Sequence, residues 1–356
     1  MNDRTRILAA VGTTVLLFLG IQLGALALLE PFTESGRQAV DDPENPINSI
    51  LYVGVMLVAT GLMLAAFRYD LDWLIRLLLV GVSVMISWYV FAELVPAVVA
   101  PFVSDGVASA LAIVASLAVG AALLWYPEWY VIDGAGVVMG AGAAALFGIS
   151  FGLLPALVLL SVLAVYDAIS VYGTEHMLDL AEGVMDLKIP VVLVVPMTLS
   201  YSYLAAGSTD DALEDGSAGT EADTEAADGG TVSDAQPEAS AVDADEAPEK
   251  DSETDAGALD RDALFIGLGD AVIPTILVAS AAAFLDVGVL AVPGIALNLP
   301  ALGASLGTIA GLLVLMYMVL EGRAHAGLPL LNGGAIGGYL LGALASGLSI
   351  ATAIGL

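Results

Sequence analysis

The chain has 356 residues, 58% of them apolar and only 13% charged, with a mean hydropathy of +0.90. Soluble domains sit near half apolar and a quarter charged, so this composition excludes a soluble globular protein and points to a polytopic membrane protein. A net charge of −30 leaves no basic stripe for nucleic acid. The absence of cysteine removes disulfides, thiolate metal sites and thiol catalysis. There are two histidines, His176 and His325, and no HExxH, so a zinc protease is excluded and no metal or organic cofactor is implied.

A helix needs about 20 apolar residues to cross the hydrocarbon layer. In chain order, such stretches fall near 7–29, 48–67, 72–93, 105–126, 130–148, 152–173, 262–284, 299–320 and 328–350. The first could be a signal peptide, because Ala25-Leu26-Ala27 resembles a cleavage site, but its apolar run is long for one and an uncleaved helix is expected. A shorter apolar run from Ile189 to Leu204 is interrupted by Pro190 and Pro196 and reads as an interfacial or re-entrant piece. Glycines four residues apart, at Gly20/Gly24, Gly303/Gly307 and Gly334/Gly338/Gly342, predict close helix packing.

Placing the N-terminus in the cytoplasm and alternating puts Arg4, Arg6, Arg68, Arg76, Lys188, Lys250, Arg261 and Arg323 inside and Arg37 alone outside. The C-terminus is then external. The chain divides into residues 1–204 with the first six helices, a cytoplasmic insert at 205–261, and residues 262–356 with the last three helices. Between Ala205 and Asp262 there are 19 acidic and 2 basic residues in 58 positions and no aromatic one. Such a segment cannot bury enough apolar surface to order itself, so the sequence predicts a disordered, solvated linker. A surface this acidic suits a salt-rich cytoplasm and suggests a halophilic source.

A charge inside the bilayer costs several kcal/mol and is a functional-site hypothesis by default. Glu30, Glu93, Asp133 and Glu321 fall at or near span ends, where water or headgroups reach them. Asp167 and Asp270 fall inside spans six and seven. Asp167 lies six residues before the end of its span and Asp270 eight after the start of its own, which puts both about 9–12 Å below the same surface. Two carboxylates sharing a dry site titrate as a coupled pair. Aspartic proteases use such a pair, one carboxylate taking a proton from water while the other polarises the carbonyl. Gly267 and Gly269 remove side chains beside Asp270 and would let a substrate backbone approach. A buried polar pair joining helices, or a proton or cation relay in a transporter or channel, fits the same residues.

Tyr166-Asp167 followed by Gly267-Leu268-Gly269-Asp270 in the next span resembles the YD and GxGD motifs of the presenilin/signal peptide peptidase family of intramembrane aspartyl proteases. Ala326-Gly327-Leu328-Pro329 is similar to that family's PAL motif but lacks its leading proline and has Gly for Ala. Nine spans, a long insert between spans six and seven, and the motif order extend the resemblance over the whole chain, with an orientation like presenilin and a likeness to the archaeal homologues. The resemblance implies a nine-helix, all-α membrane protease of the cytoplasmic membrane that cleaves peptide bonds within transmembrane segments of other membrane proteins. Asp167 and Asp270 would be its catalytic pair. Tyr166, Gly267, Leu268 and Gly269 would line the site, and Gly327, Leu328 and Pro329 would border the substrate cleft, with extended backbone there receiving the substrate by strand addition.

Prepilin peptidases carry a GxGD motif as well, but lack a PAL-like element. A serine protease is the other rival, since Gly303-Ala-Ser305-Leu-Gly307 and Gly148-Ile-Ser150-Phe-Gly152 fit G-x-S-x-G and His325 could serve as base. Ser305 and His325 fall at opposite ends of one span, about 30 Å apart, and helix packing explains both motifs better. A transporter would show inverted repeats or paired broken helices, and none is evident.

Overall fold

The computed structural model describes residues 3–40, 42–69, 71–173, 192–197, 201–202, 263–320 and 326–355. Hydrocarbon offers no partner for a backbone N–H or C=O, so apolar stretches of this length close their hydrogen bonds internally as helices. In chain order these are α1 (Asp3–Glu34), α2 (Ile47–Arg68), α3 (Asp72–Val99), α4 (Asp105–Trp125), α5 (Trp129–Ser150), α6 (Leu153–Gly173), α7 (Leu268–Phe284), α8 (Leu299–Leu320), α9 (Gly327–Ala345) and a final turn, α10 (Ile350–Ala353). Eight of them are long and apolar enough to cross a membrane, and α7 is a shorter apolar ninth. Among the described residues these nine apolar helices make a polytopic membrane protein. The acidic insert, His176, His325, Lys188 and Glu321 lie outside the described residues.

Two expectations are corrected. Val192–Pro196, within the run read as interfacial, is a strand, β1, and it pairs antiparallel with β2 (Ala263–Gly267), with Val192 opposite Gly267 and Pro196 opposite Ala263. The seventh span therefore does not begin as helix at 262. Its first residues are extended, and Gly267 is the N-cap of α7 rather than a glycine inside it. The second correction concerns residues 327–329, which are not extended backbone. They form the first turn of α9, and Ala326 is its N-cap. Pro329 is at home there, because the first turn has no intrahelical use for its missing N–H.

Helix α5 lies at the centre, against α1, α3, α7 and β1. Small residues permit this. A side chain on Gly24 of α1 would come within 2.8 Å of Ala141 Cβ, and one on Gly148 within 2.3 Å of Ala279 Cβ on α7. Helix α1 contributes the fully buried Phe18, Ile21, Ala25 and Leu26 to the core, so it is an integral part of the bundle. The tightest pair is α8 and α9. Gly303 and Gly307 lie against the backbone of Gly334 and Gly338, where any Cβ would fall about 2 Å from a carbonyl oxygen. The stripe of glycines lets these helices touch main chain to main chain, which supplies packing where no hydrophobic drive exists between them.

Candidate active site

Helix α6 carries Asp167 near its end, with the side chain buried. Asp270 sits in the first turn of α7, half-buried, directly after β2. An acid in the first turn of a helix faces orphan N–H groups and the positive end of the dipole, which makes this a tolerable place for a carboxylate in an apolar bundle.

The two are joined through the first turn of α9. The Leu328 N–H donates to Asp167 Oδ2 at 3.1 Å. A Cβ on Gly327 would stand 3.6 Å from Asp270 Oδ2, and one on Gly267 would stand 3.3 Å from the same oxygen. Gly267 and Gly327 thus flank the Asp270 carboxylate with bare backbone. Because Gly327 and Leu328 are joined by one peptide, the two carboxylates lie within about 10 Å of each other along this path. Sequence positions 103 apart form one site.

The other residues singled out from the sequence are placed as follows. Gly269 is exposed, and its neighbourhood is open apart from Ile273 of its own helix. Tyr166 is exposed on α6 next to Asp167, and Pro329 is half-buried in α9. Leu268 points to the bundle: its Cδ1 reaches the positions of Gly136 and Gly140 on α5. Neither serine of the G-x-S-x-G motifs is free. Ser305 Oγ donates to Gln22 Oε1 at 2.5 Å, while Ser150 Oγ donates to the Leu146 carbonyl and accepts from the Ala39 N–H. Gly148, Gly303 and Gly307 serve helix contacts, and Gly152 packs against the loop at Pro43 and Glu44. Among the described residues, no group of three or more acidic or histidine side chains could hold a metal ion.

Two contributors were missed in the sequence. Asp133 was assigned to a wet span end, yet it is 5% exposed and its Oδ1 accepts the Val194 N–H of β1 at 2.7 Å. It closes an edge of the small sheet whose other strand runs into Asp270. The only sequence signal was an acid one turn into an apolar helix. The second contributor is Asn332, fully buried on α9, whose Nδ2 donates to the Leu160 carbonyl of α6 at 2.9 Å.

Two carboxylates gathered at the first turn of α9 among these membrane helices, bordered by bare glycine backbone, define a candidate site for hydrolysis inside the membrane. The family described as signal-peptide peptidase, presenilin aspartyl protease matches residues 15–348, and the chain belongs to that family. Two solved structures of a presenilin family intramembrane aspartate protease are similar. One, in space group C222, is 31% identical with a TM-score of 0.58, covering 94% of this chain and 99% of that one. The other, in space group P2, is 32% identical with a TM-score of 0.56, covering 93% and 96%. Among curated proteins none matches the chain. The protein is an intramembrane aspartyl protease acting on membrane-protein substrates.

Proposed function

We propose that Asp167 and Asp270 are the catalytic pair and that this protein cleaves peptide bonds within the transmembrane segments of its substrates. The observation that carries the reading is the Gly327–Leu328 step, which lies beside Asp270 on one side and hydrogen-bonds Asp167 on the other. One carboxylate takes a proton from the attacking water, the second polarises the scissile carbonyl, and the roles reverse as the amine leaves. The Leu328 N–H fixes Asp167 Oδ2, so its other oxygen is the one directed to chemistry. A substrate helix must unwind first, because its amides are already hydrogen-bonded. The strand ending in Gly267 offers backbone in the right conformation for that unwound segment to pair with. Gly267 and Gly269 then keep its path to Asp270 clear, with Tyr166, Leu268 and Gly327–Pro329 bordering it.

The basic residues support a cytoplasmic N-terminus and insert in the cell membrane, with an external C-terminus, and the acidic surface supports a halophilic archaeal source. The chain reads as three parts, the helices of residues 1–204, the soluble insert 205–261, and the helices of 262–356. Cleavage of a model transmembrane peptide by purified protein, compared with Asp167→Asn and Asp270→Asn, tests the assignment. Wild-type rates from either properly inserted variant would refute it and move an ion-relay transporter, measured by flux in liposomes, to first place.

A further inference from the structure

The face that α9 turns to the bundle interior runs through Leu328, Asn332, Ala335 and Tyr339, at the spacing of one side of a helix. Ala335, Tyr339 and Asn332 are all fully buried. Asn332 interrupts an apolar stripe with an amide, although an apolar side chain there would need no partner. Its Nδ2 spends one hydrogen bond on the Leu160 carbonyl of α6, and its Oδ1 is buried with no partner among the described residues. A buried acceptor left unpaired is a standing cost that packing alone does not explain.

The position of this amide explains it. Leu160 is seven residues before Asp167, two turns along the same face of α6, and Asn332 is four residues after Leu328, one turn along the same face of α9. Two polar rungs therefore cross the α6–α9 seam: Leu328 N–H to Asp167 at the catalytic end, and Asn332 to the Leu160 carbonyl below it. One rung alone leaves α9 able to rotate about it against α6, since Tyr339, further along the stripe, bonds the Ala353 carbonyl and not α6. Two rungs remove that freedom. A carbonyl of the helix main chain makes a rigid anchor for the second.

We propose that Asn332 is a positioning residue for the catalytic pair, acting through the α6–α9 register to keep the Leu328 N–H on Asp167. The inference rests on the assignment of Asp167 as catalytic. Asn332→Leu removes the tie while keeping the branched skeleton, and Asn332→Ala removes it without added bulk. Each purified variant is measured beside wild type and Asp167→Asn for thermal unfolding and for kcat and KM on a model transmembrane peptide. Loss of orientation by an ångström or so is expected to lower kcat about 10- to 100-fold, with KM within about two-fold of wild type and unfolding temperature maintained. A folded variant of either kind with wild-type kcat overturns the proposal. So does a loss of kcat no larger than the loss of folded protein, or a change confined to KM. If instead Asp167→Asn cleaves like wild type, it is the catalytic assignment that has failed.

Discussion

Gly307→Ala probes the contact that holds the first turn of α9 in place. The new Cβ would lie 2.0 Å from the Gly334 carbonyl oxygen and 3.0 Å from Gly338 Cα. Ordinary contact needs about 3.5 Å, so α8 and α9 must part by roughly 1.5 Å at this point. Overpacking of this kind costs about 1–3 kcal/mol, and alanine's better helix propensity returns at most about 1 kcal/mol. The net loss of about 1–2 kcal/mol should lower the unfolding temperature in detergent by a few degrees. The effect on catalysis should be larger. Helix α9 carries Gly327 and Leu328 against both carboxylates, and a displacement near 1 Å at a reacting centre is worth about 10²-fold. The matched controls are Gly333→Ala and Gly337→Ala on the same helix pair, where nothing lies within 4 Å of the added Cβ. They should keep wild-type activity and melt at the same temperature or slightly higher. The measurements are thermal unfolding and cleavage of a transmembrane peptide on the same preparations. If Gly307→Ala and Gly337→Ala behave alike in both, the glycine contact does not position the site and the reasoning fails.

If Asp167 and Asp270 act as one unit, the double Asn variant should be no less active than either single one, and residual activity that falls multiplicatively would show them to be independent. Wild-type activity against pH should be bell-shaped, a monotonic profile being inconsistent with a coupled pair. Asp133→Asn keeps an oxygen for the Val194 N–H and should remain active, whereas Asp133→Ala strands that donor at about 1–3 kcal/mol and should lower both unfolding temperature and cleavage; equal behaviour of the two would sink this role. Ser305→Ala should retain its activity per folded molecule while losing about 1–3 kcal/mol of stability, because Gln22, whose Nε2 has no partner among the described residues, then loses its hydrogen bond to Ser305 as well. Deleting residues 210–255 should leave intrinsic cleavage nearly intact, and a well-expressed but inactive deletion would assign the insert a function.

The crossings were legible because a bilayer enforces one length and one conformation on an apolar stretch, and spans read from the sequence end within six residues of α1 to α9. The motif acids stood out because a charge in such a stretch is costly. The start of the seventh span was not legible. Ala263-Leu-Phe-Ile-Gly267 is a short apolar run, and periodicity cannot tell such a run in a helix from a buried strand. Only its pairing with Val192–Pro196, across the insert, decides the matter. Asp133 was misjudged for a related reason. Depth counted along its own helix put it near the headgroups, while the chain that buries it comes from 61 residues away. The altered PAL segment gave the right neighbourhood and the wrong conformation, since nothing in Gly327-Leu328-Pro329 distinguishes a first helical turn from extended chain.

The pairing of β1 with β2 also bears on how freely this protein can change. Pro196 and Ala263 are strand partners, so the 66 residues between them form a loop whose ends are stapled at the end of the strand pair away from Gly267 and Asp270. For a segment with no fixed structure, as the composition of this one leads us to expect, the entropy of closing such a loop grows only with the logarithm of its length, about 0.6 kcal/mol for each doubling. Because the staple absorbs the strain locally, insertions and deletions in the loop are nearly neutral to the geometry of the site. The protease can therefore acquire, trade or discard an appendage of almost any size at this loop without retuning its chemistry.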